Sequence, residues 1–297
     1  MLFIPADSEK KLAKGFGSGA DCLFLDLEDS IAPKTKPKAR EMALAYLLAA
    51  KGRQAKPELY VRVNALESGL IDDDLDAVMQ GAPDGIVLPK CVNGAALQHL
   101  GAKLAVKEAE CDLPDGSTRI IAIVTETAAS IFSMGTYAGA STRLAGLTWG
   151  AEDLSACLGA ETARGSDRAY TAPYAFARSL TLFAARAAEA LAIDAIYPNF
   201  RDSAGCREEC EAARRDGFDG KMAIHADQVG VINAAFTPSD NAIARARAIV
   251  EAFATDPQAG VISFEGEMLD QPHLMRARRL LQRLTSSGAK SSSEGGA

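Results

Sequence analysis

What most restricts this sequence is its rhythm: short β-branched, apolar runs alternate with longer segments rich in Ala, Leu and charge, the pattern of repeated strand–helix units. Eight runs read as strands: Leu2–Pro5, Cys22–Leu27, Leu59–Asn64, Gly85–Pro89, Ile120–Thr125, Leu144–Trp149, Ala195–Asn199 and Met222–His225. Between them lie segments of helical length, such as Lys36–Ala50 and Ala172–Leu191, whose apolar residues recur every three or four positions. Parallel strands must be joined by such crossovers, and eight units in about 230 residues is the size of a (β/α)8 TIM barrel. A doubly wound nucleotide fold would carry Gly-x-Gly-x-x-Gly after its first strand, and none follows Leu2–Pro5. Beyond the eighth run, Pro238–Phe253 reads as a helix, Asp256–Gly260 as a turn, and Gly266–Leu284 as a short loop and a final helix. The expected division is therefore a barrel over 1–238, a C-terminal helical extension over 239–284, and a disordered tail of Ser, Gly and Ala over 285–297.

Charge excludes several classes of partner. The 297 residues hold 32 Lys+Arg against 39 Asp+Glu, a formal charge of −7, with no basic stretch able to follow a phosphate backbone. Nucleic acid is not an expected partner. No run reaches the ~18 apolar residues of a membrane helix, and Met1–Pro5 lacks the basic and apolar segments of a leader, so a cytoplasmic enzyme is expected. The six cysteines are scattered without Cys-x-x-Cys spacing and read as reduced structural thiols.

In such a barrel, chemistry is built at the C-terminal ends of the strands. Charged residues collect there. The second run places Asp26 and Glu28 on one face by its two-residue period, followed by Asp29; the third places Arg62 and Asn64 on one face; the fifth leads into Glu126, the sixth into Glu152 and Asp153, and the eighth ends at His225. Carboxylates at apolar strand ends are costly to desolvate unless cations or several donors meet them. Arg62 alone cannot neutralise Asp26, Glu28, Asp29, Glu126 and Asp153. A hard divalent cation would, and oxygen ligands without Cys or paired His favour Mg2+, with Mn2+ as the alternative. Glu126 and Asp153 are the expected metal ligands because they end adjacent strands. The competing explanation, that each acid pairs with Arg or Lys or caps a helix, accounts for any one of them but less well for the set. Arg62 suits a bidentate grip on a substrate carboxylate, and also suits a structural role among the acids. Lys36 and Arg40, one helical turn apart, form either a basic patch for phosphates or a second carboxylate, with Lys36 the expected substrate-binding residue, or a solvated helix face.

The histidines His99, His225 and His273 form no triad pattern, and no Gly-x-Ser-x-Gly turn supports a serine nucleophile. Lys90 and Lys221 adjoin strands and are the candidates for a Schiff base, but each is better explained as capping a strand end.

Taken together, Phe24-Leu25-Asp26-Leu27-Glu28-Asp29-Ser30, Pro33-x-x-Lys36-x-x-Ala39-Arg40, Val61-Arg62-Val63-Asn64, Gly85-Ile86-Val87-Leu88-Pro89-Lys90, Glu126-Thr127, Gly150-Ala151-Glu152-Asp153-Leu154 and Gly220-Lys221 with Ile224-His225 resemble the citrate lyase beta subunit family of CoA-ester lyases. The resemblance covers residues 2–238. It implies a magnesium-dependent barrel that cleaves or forms a carbon–carbon bond between an acyl-CoA thioester and a 2-oxo acid. It also implies that Glu126 and Asp153 hold the metal, Glu126 bordering the substrate as well, and that Arg62 binds the oxo-acid carboxylate. Members acting on malyl-CoA-like esters carry a C-terminal segment, often donated by a neighbouring subunit, whose aspartate transfers a proton. Gly266-Glu267-Met268-Leu269-Asp270-Gln271-Pro272 resembles that segment, which makes Asp270 the expected catalytic residue, with burial holding its pKa near the working range. A homotrimer or hexamer is expected from the shared site. Malyl-CoA and citramalyl-CoA lyase activities fit this pattern. So do a malyl-CoA thioesterase, a CoA-independent pyruvate aldolase, and a citryl-carrier-protein lyase subunit working with an acyl-carrier protein.

Overall fold

A computed structural model describes residues 1–53, 56–256 and 259–288. The chain divides into two compact units, Met1–Phe236 and a second beginning at Thr237.

The first unit is the expected barrel. Strands β1 (Leu2–Pro5), β2 (Cys22–Asp26), β3 (Glu58–Arg62), β4 (Gly85–Leu88), β5 (Arg119–Ile123), β6 (Leu144–Thr148), β7 (Leu191–Asp194) and β8 (Gly220–Lys221) form one sheet in sequence order, each pair parallel. The ring closes between Leu2 and Ala223, where the Phe3 N–H donates to the Ala223 carbonyl at 2.9 Å and the Ala223 N–H to the Met1 carbonyl at 2.8 Å. The intervening helices are α1 (Glu9–Gly15), α2 (Lys36–Ala50), α3 (Ile71–Val78), α4 (Gly94–Glu110), α5 (Ala128–Ile131), α6 (Ala151–Leu158), α7 (Ala172–Ala187), α8 (Ser203–Asp216) and α9 (Ala226–Phe236).

The strands are buried on both faces, which is why they read as continuous apolar runs. Their alternation still sorts them. Leu23, Leu25, Val61, Ile86, Leu88, Ile120 and Ala122 pack in the cluster that includes helix residues such as Leu47, Leu97 and Leu100. Cys22, Phe24, Tyr60, Val87, Ile121, Ile123, Ile193 and Met222 form a separate cluster that fills the barrel. Asp26 follows Phe24, and Arg62 follows Tyr60, by one strand period, so both polar side chains belong to the interior face at the strands' C-terminal ends. Side-chain caps set several helix starts: Asn93 accepts from the Ala96 N–H, Thr127 from Ser130, and Asp202 from Gly205.

Two strands lie earlier than expected. The seventh is Leu191–Asp194 and not Ala195–Asn199, and the eighth is Gly220–Lys221 and not Met222–His225. The reason is electrostatic: Asp194 and Lys221 are both fully buried and meet at 2.9 Å, so each supplies the countercharge that lets the other end a strand.

The second unit holds α10 (Asp240–Thr255), an antiparallel hairpin of β9 (Val261–Phe264) and β10 (Glu267–Asp270), and α11 (Gln271–Gly288). Ile249, Phe253, Leu269, Leu274 and Ala277 form its core. The hairpin replaces the loop expected there. It turns at Glu265 (φ 48°) and Gly266 (φ 82°), the pair of positive φ values a two-residue hairpin turn requires. Residues 285–288, expected to begin a disordered tail, continue α11, and the rest of that tail, 289–297, lies outside the described residues. No helix among the described residues is long and apolar enough to cross a membrane.

Candidate active site

A cavity of about 610 Å³ opens at the C-terminal ends of the strands, and Asp26, Arg62, Glu126 and Asp153 all border it. Its floor is apolar, with Phe3, Ile123, Trp149, Ile196 and Met222 among its lining residues.

Asp26 and Arg62 are register partners on adjacent strands, and the guanidinium grips the carboxylate through two hydrogen bonds of 2.7 Å, from Nε to Oδ1 and from Nη2 to Oδ2. Against the desolvation imposed by burial, this grip holds Asp26 below the usual carboxylate range. Arg62 Nη1 also lies 2.9 Å from Glu28 Oε2, yet that buried oxygen accepts no aligned hydrogen bond. Burial accordingly raises the Glu28 carboxyl despite Arg62 and Lys90 nearby. The structural role considered for Arg62 is thus occupied, and the side chain borders the cavity as well.

Glu126 follows β5 and is 4% exposed. The Lys90 N–H donates to its Oε2, and it makes no ion pair among the described residues. Burial pushes its carboxyl up to about 8; the Lys90 N–H opposes the rise, and the charges of Asp153 and Glu28 add to it. Asp153 lies in the first turn of α6, at the end of the neighbouring strand. Between them Gly150 fits closely, since a Cβ there would stand 3.1 Å from Glu126 Cγ and require that side chain to give way.

Lys90 is the residue whose part at the site the sequence did not disclose. Its backbone is left-handed (φ 51°), a conformation rare outside glycine, and this geometry accompanies the N–H donated to Glu126. Its ammonium pairs with Glu28 at 2.5 Å and Asp29 at 3.1 Å, and lies 3.7 Å from Asp153. Sequence reasoning also passed over Lys10, Lys11 and Lys14, which border the cavity from α1; their one-turn spacing was the available signal.

The donor chemistry fits a hard cation. Glu126 offers a buried carboxylate without a cationic partner, and Asp153 a second one beside the same cavity. Among the described residues no group of three or more His, Cys, Asp or Glu could hold a metal; magnesium is commonly bound through one or two carboxylates, with water and substrate oxygens completing its shell.

Lys36 does not border the cavity. Its ammonium donates to the Leu27 carbonyl at 2.7 Å, the Glu28 carbonyl at 3.0 Å and Asn64 Oδ1 at 2.7 Å, which engages all three of its protons and leaves none for a substrate phosphate. Arg40 is likewise engaged, with Asp73 and Asp74. Lys36→Met is expected to lower stability to urea by about 2 kcal/mol and leave KM unchanged. A tenfold rise in KM at unchanged stability would return Lys36 to the substrate.

Asp270 belongs to the second unit, at the end of β10. It is not buried as expected: its side chain is 50% exposed and lies 2.5 Å from His273 Nδ1. The hydrogen bond with His273 holds it below the usual carboxylate range.

The comparisons with known proteins agree with this architecture. Residues 1–226 match the model of the HpcH/HpaI aldolase/citrate lyase family. The citrate lyase subunit beta of Escherichia coli K12 is 34% identical over 98% of this chain and 94% of its own length. The (3S)-malyl-CoA thioesterase of Cereibacter sphaeroides KD131 is 34% identical over 95% and 92%. Protein CitE of Mycobacterium tuberculosis, solved in complex with magnesium, acetoacetate and coenzyme A, superposes with a TM-score of 0.75 at 34% identity, covering 95% of this chain and 96% of that one. An eight-stranded barrel whose relatives are aldolases and citrate lyases is the frame of a lyase. The chain belongs to the HpcH/HpaI aldolase/citrate lyase family.

Proposed function

We propose that this protein is a magnesium-dependent lyase that cleaves or forms the carbon–carbon bond of a 3-hydroxyacyl thioester such as malyl-CoA or citramalyl-CoA, giving an acyl-CoA and a 2-oxo acid. The observation that carries this reading is the convergence of Glu126, Asp153 and Arg62 on one cavity. Glu126 and Asp153 would hold the ion, which when bound polarises the hydroxyl and carboxylate oxygens of the substrate. Arg62, fixed by Asp26, orients the oxo-acid carboxylate. The exposed lysines of α1 place positive charge at the rim, where the phosphates of a CoA ester find it favourable.

In cleavage the hydroxyl gives its proton to water, its oxygen becomes the carbonyl of the oxo acid, and the bond between the α and β carbons breaks, leaving the thioester enolate to be protonated. Asp270 is assigned this proton transfer, and in the condensing direction removes a proton from the thioester methyl; it would be donated by a neighbouring copy in a homotrimer or hexamer. Asp270→Asn is expected to abolish turnover while magnesium and oxo-acid binding, read by calorimetry, stay intact. Normal turnover in that variant removes Asp270 from the mechanism.

The direct test is incubation with magnesium and a panel of hydroxyacyl-CoA esters, followed by mass spectrometry. Acetyl-CoA with a matching oxo acid, lost on adding EDTA, is the expected result. Free CoA with an intact hydroxy acid would instead establish the thioesterase reading, which the similarity to the Cereibacter enzyme supports. Turnover only of a carrier-bound citryl ester would favour a subunit acting with an acyl-carrier protein.

A further inference from the structure

The most deeply buried charges of the barrel have no part in the chemistry above. Asp194, at the end of β7, is fully buried. Its Oδ2 accepts from Lys221 Nζ at 2.9 Å, and its Oδ1 from Arg178 Nε at 3.1 Å and from the indole Nε1–H of Trp149 at 2.9 Å. Lys221, itself fully buried, also donates to Glu209 at 2.7 Å, and Glu209 pairs with Arg164 at 2.9 Å. Apolar side chains could fill the same space without desolvating charges, so a network of this kind is better explained by what it fixes in place than by stability.

What it fixes is Trp149. The ring is fully buried, meets Tyr170 edge-on at 4.8 Å between centroids, and borders the cavity. Trp149 is also the last residue before the turn that carries the site. Gly150 follows, pressed against Glu126, its N–H donated to Thr125 Oγ1 at 3.3 Å, and Asp153 stands in the first turn of α6. A shift of Trp149 would therefore move Asp153 relative to Glu126.

We propose that Asp194 is a positioning residue which, through the indole N–H of Trp149, sets the β6–α6 turn and with it the place of Asp153 beside Glu126. The proposal rests on the reading of these two carboxylates as metal ligands. It parallels the way groups behind a metal's ligands govern affinity in other proteins.

Two variants of the full chain test it. Trp149→Phe keeps an aromatic ring in place and removes only the N–H; Asp194→Asn keeps an acceptor and removes the charge. Hydrogen–deuterium exchange without added metal should rise roughly tenfold in peptides spanning 149–154 and stay unchanged in α2, while the Mn2+ dissociation constant, read by electron paramagnetic resonance, should rise roughly tenfold. Unchanged exchange across 149–154 in Trp149→Phe overturns the positioning role whatever Mn2+ does, as does a rise spread evenly over the barrel. Should Asp194→Asn fail to fold, Trp149→Phe alone decides. A wild-type protein that binds no Mn2+, with the turn loosened selectively in the variants, supports the positioning of the turn and overturns the metal reading instead.

Discussion

Glu126→Gln is expected to abolish divalent-cation binding and to cut turnover by roughly a thousandfold or more, because polarisation by a bound metal is worth several kcal/mol of barrier. The same substitution should make the metal-free protein more stable than wild type at pH 8. Glu126 titrates at its ordinary 4.5 when unfolded and at about 8 when folded. Between these values the folded state binds more protons than the unfolded state, so the stability this group contributes is full below about 4.5 and is lost as pH rises through 8. The whole difference is on the order of 5 kcal/mol. Gln carries no charge at any pH and escapes the loss. Melting curves in EDTA should therefore nearly coincide near pH 5 and separate as pH rises, with magnesium restoring the wild type at pH 8. Parallel curves across that range would show that Glu126 does not take up the proton.

Arg62→Met is expected to have the largest effect on folding itself. Asp26 is 1% exposed, and Arg62 is the cation that holds it; removing one partner of a buried pair costs about 3–5 kcal/mol. Since Arg62 holds the Asp26 pKa below its ordinary value of 3.8, this stabilisation is present above that value and is lost as pH falls below it. The deficit of Arg62→Met in urea unfolding should thus be complete at pH 7 and shrink in acid. Adding Asp26→Asn should recover part of the stability while leaving oxo-acid binding impaired, which separates the structural task of Arg62 from its proposed grip on substrate. Full recovery of binding along with stability would leave Arg62 only the structural one.

The parts of this molecule legible in its sequence are those where local pattern and tertiary place agree. The acids of the site stand out because they interrupt or follow apolar runs, and Asp26 and Arg62 could be placed on their faces from the strand period alone. Strands β7 and β8 were displaced because each ends in a charge whose partner lies 27 residues away, and a single segment gives no sign of that. The left-handed backbone of Lys90 is likewise imposed by its surroundings. The β9–β10 hairpin was legible and missed: Val261-Ile262-Ser263-Phe264 and Glu267-Met268-Leu269-Asp270 flank a Glu-Gly turn. For Asp270 the residue type is legible but its environment is not, so the sequence predicts burial where exposure and His273 are found.

The seam between Leu2 and Ala223 bears on the order in which the chain can assemble. Strands β2 to β7 each pair on both sides with a sequence neighbour, but the outer edge of β1 must wait for a segment some 220 residues later. During synthesis, at about 5–20 residues per second, that edge stays open for tens of seconds after its inner side can pair. An open edge is a template for any passing strand, so the nascent chain is most exposed to mispairing in the interval before residue 223 clears the ribosome.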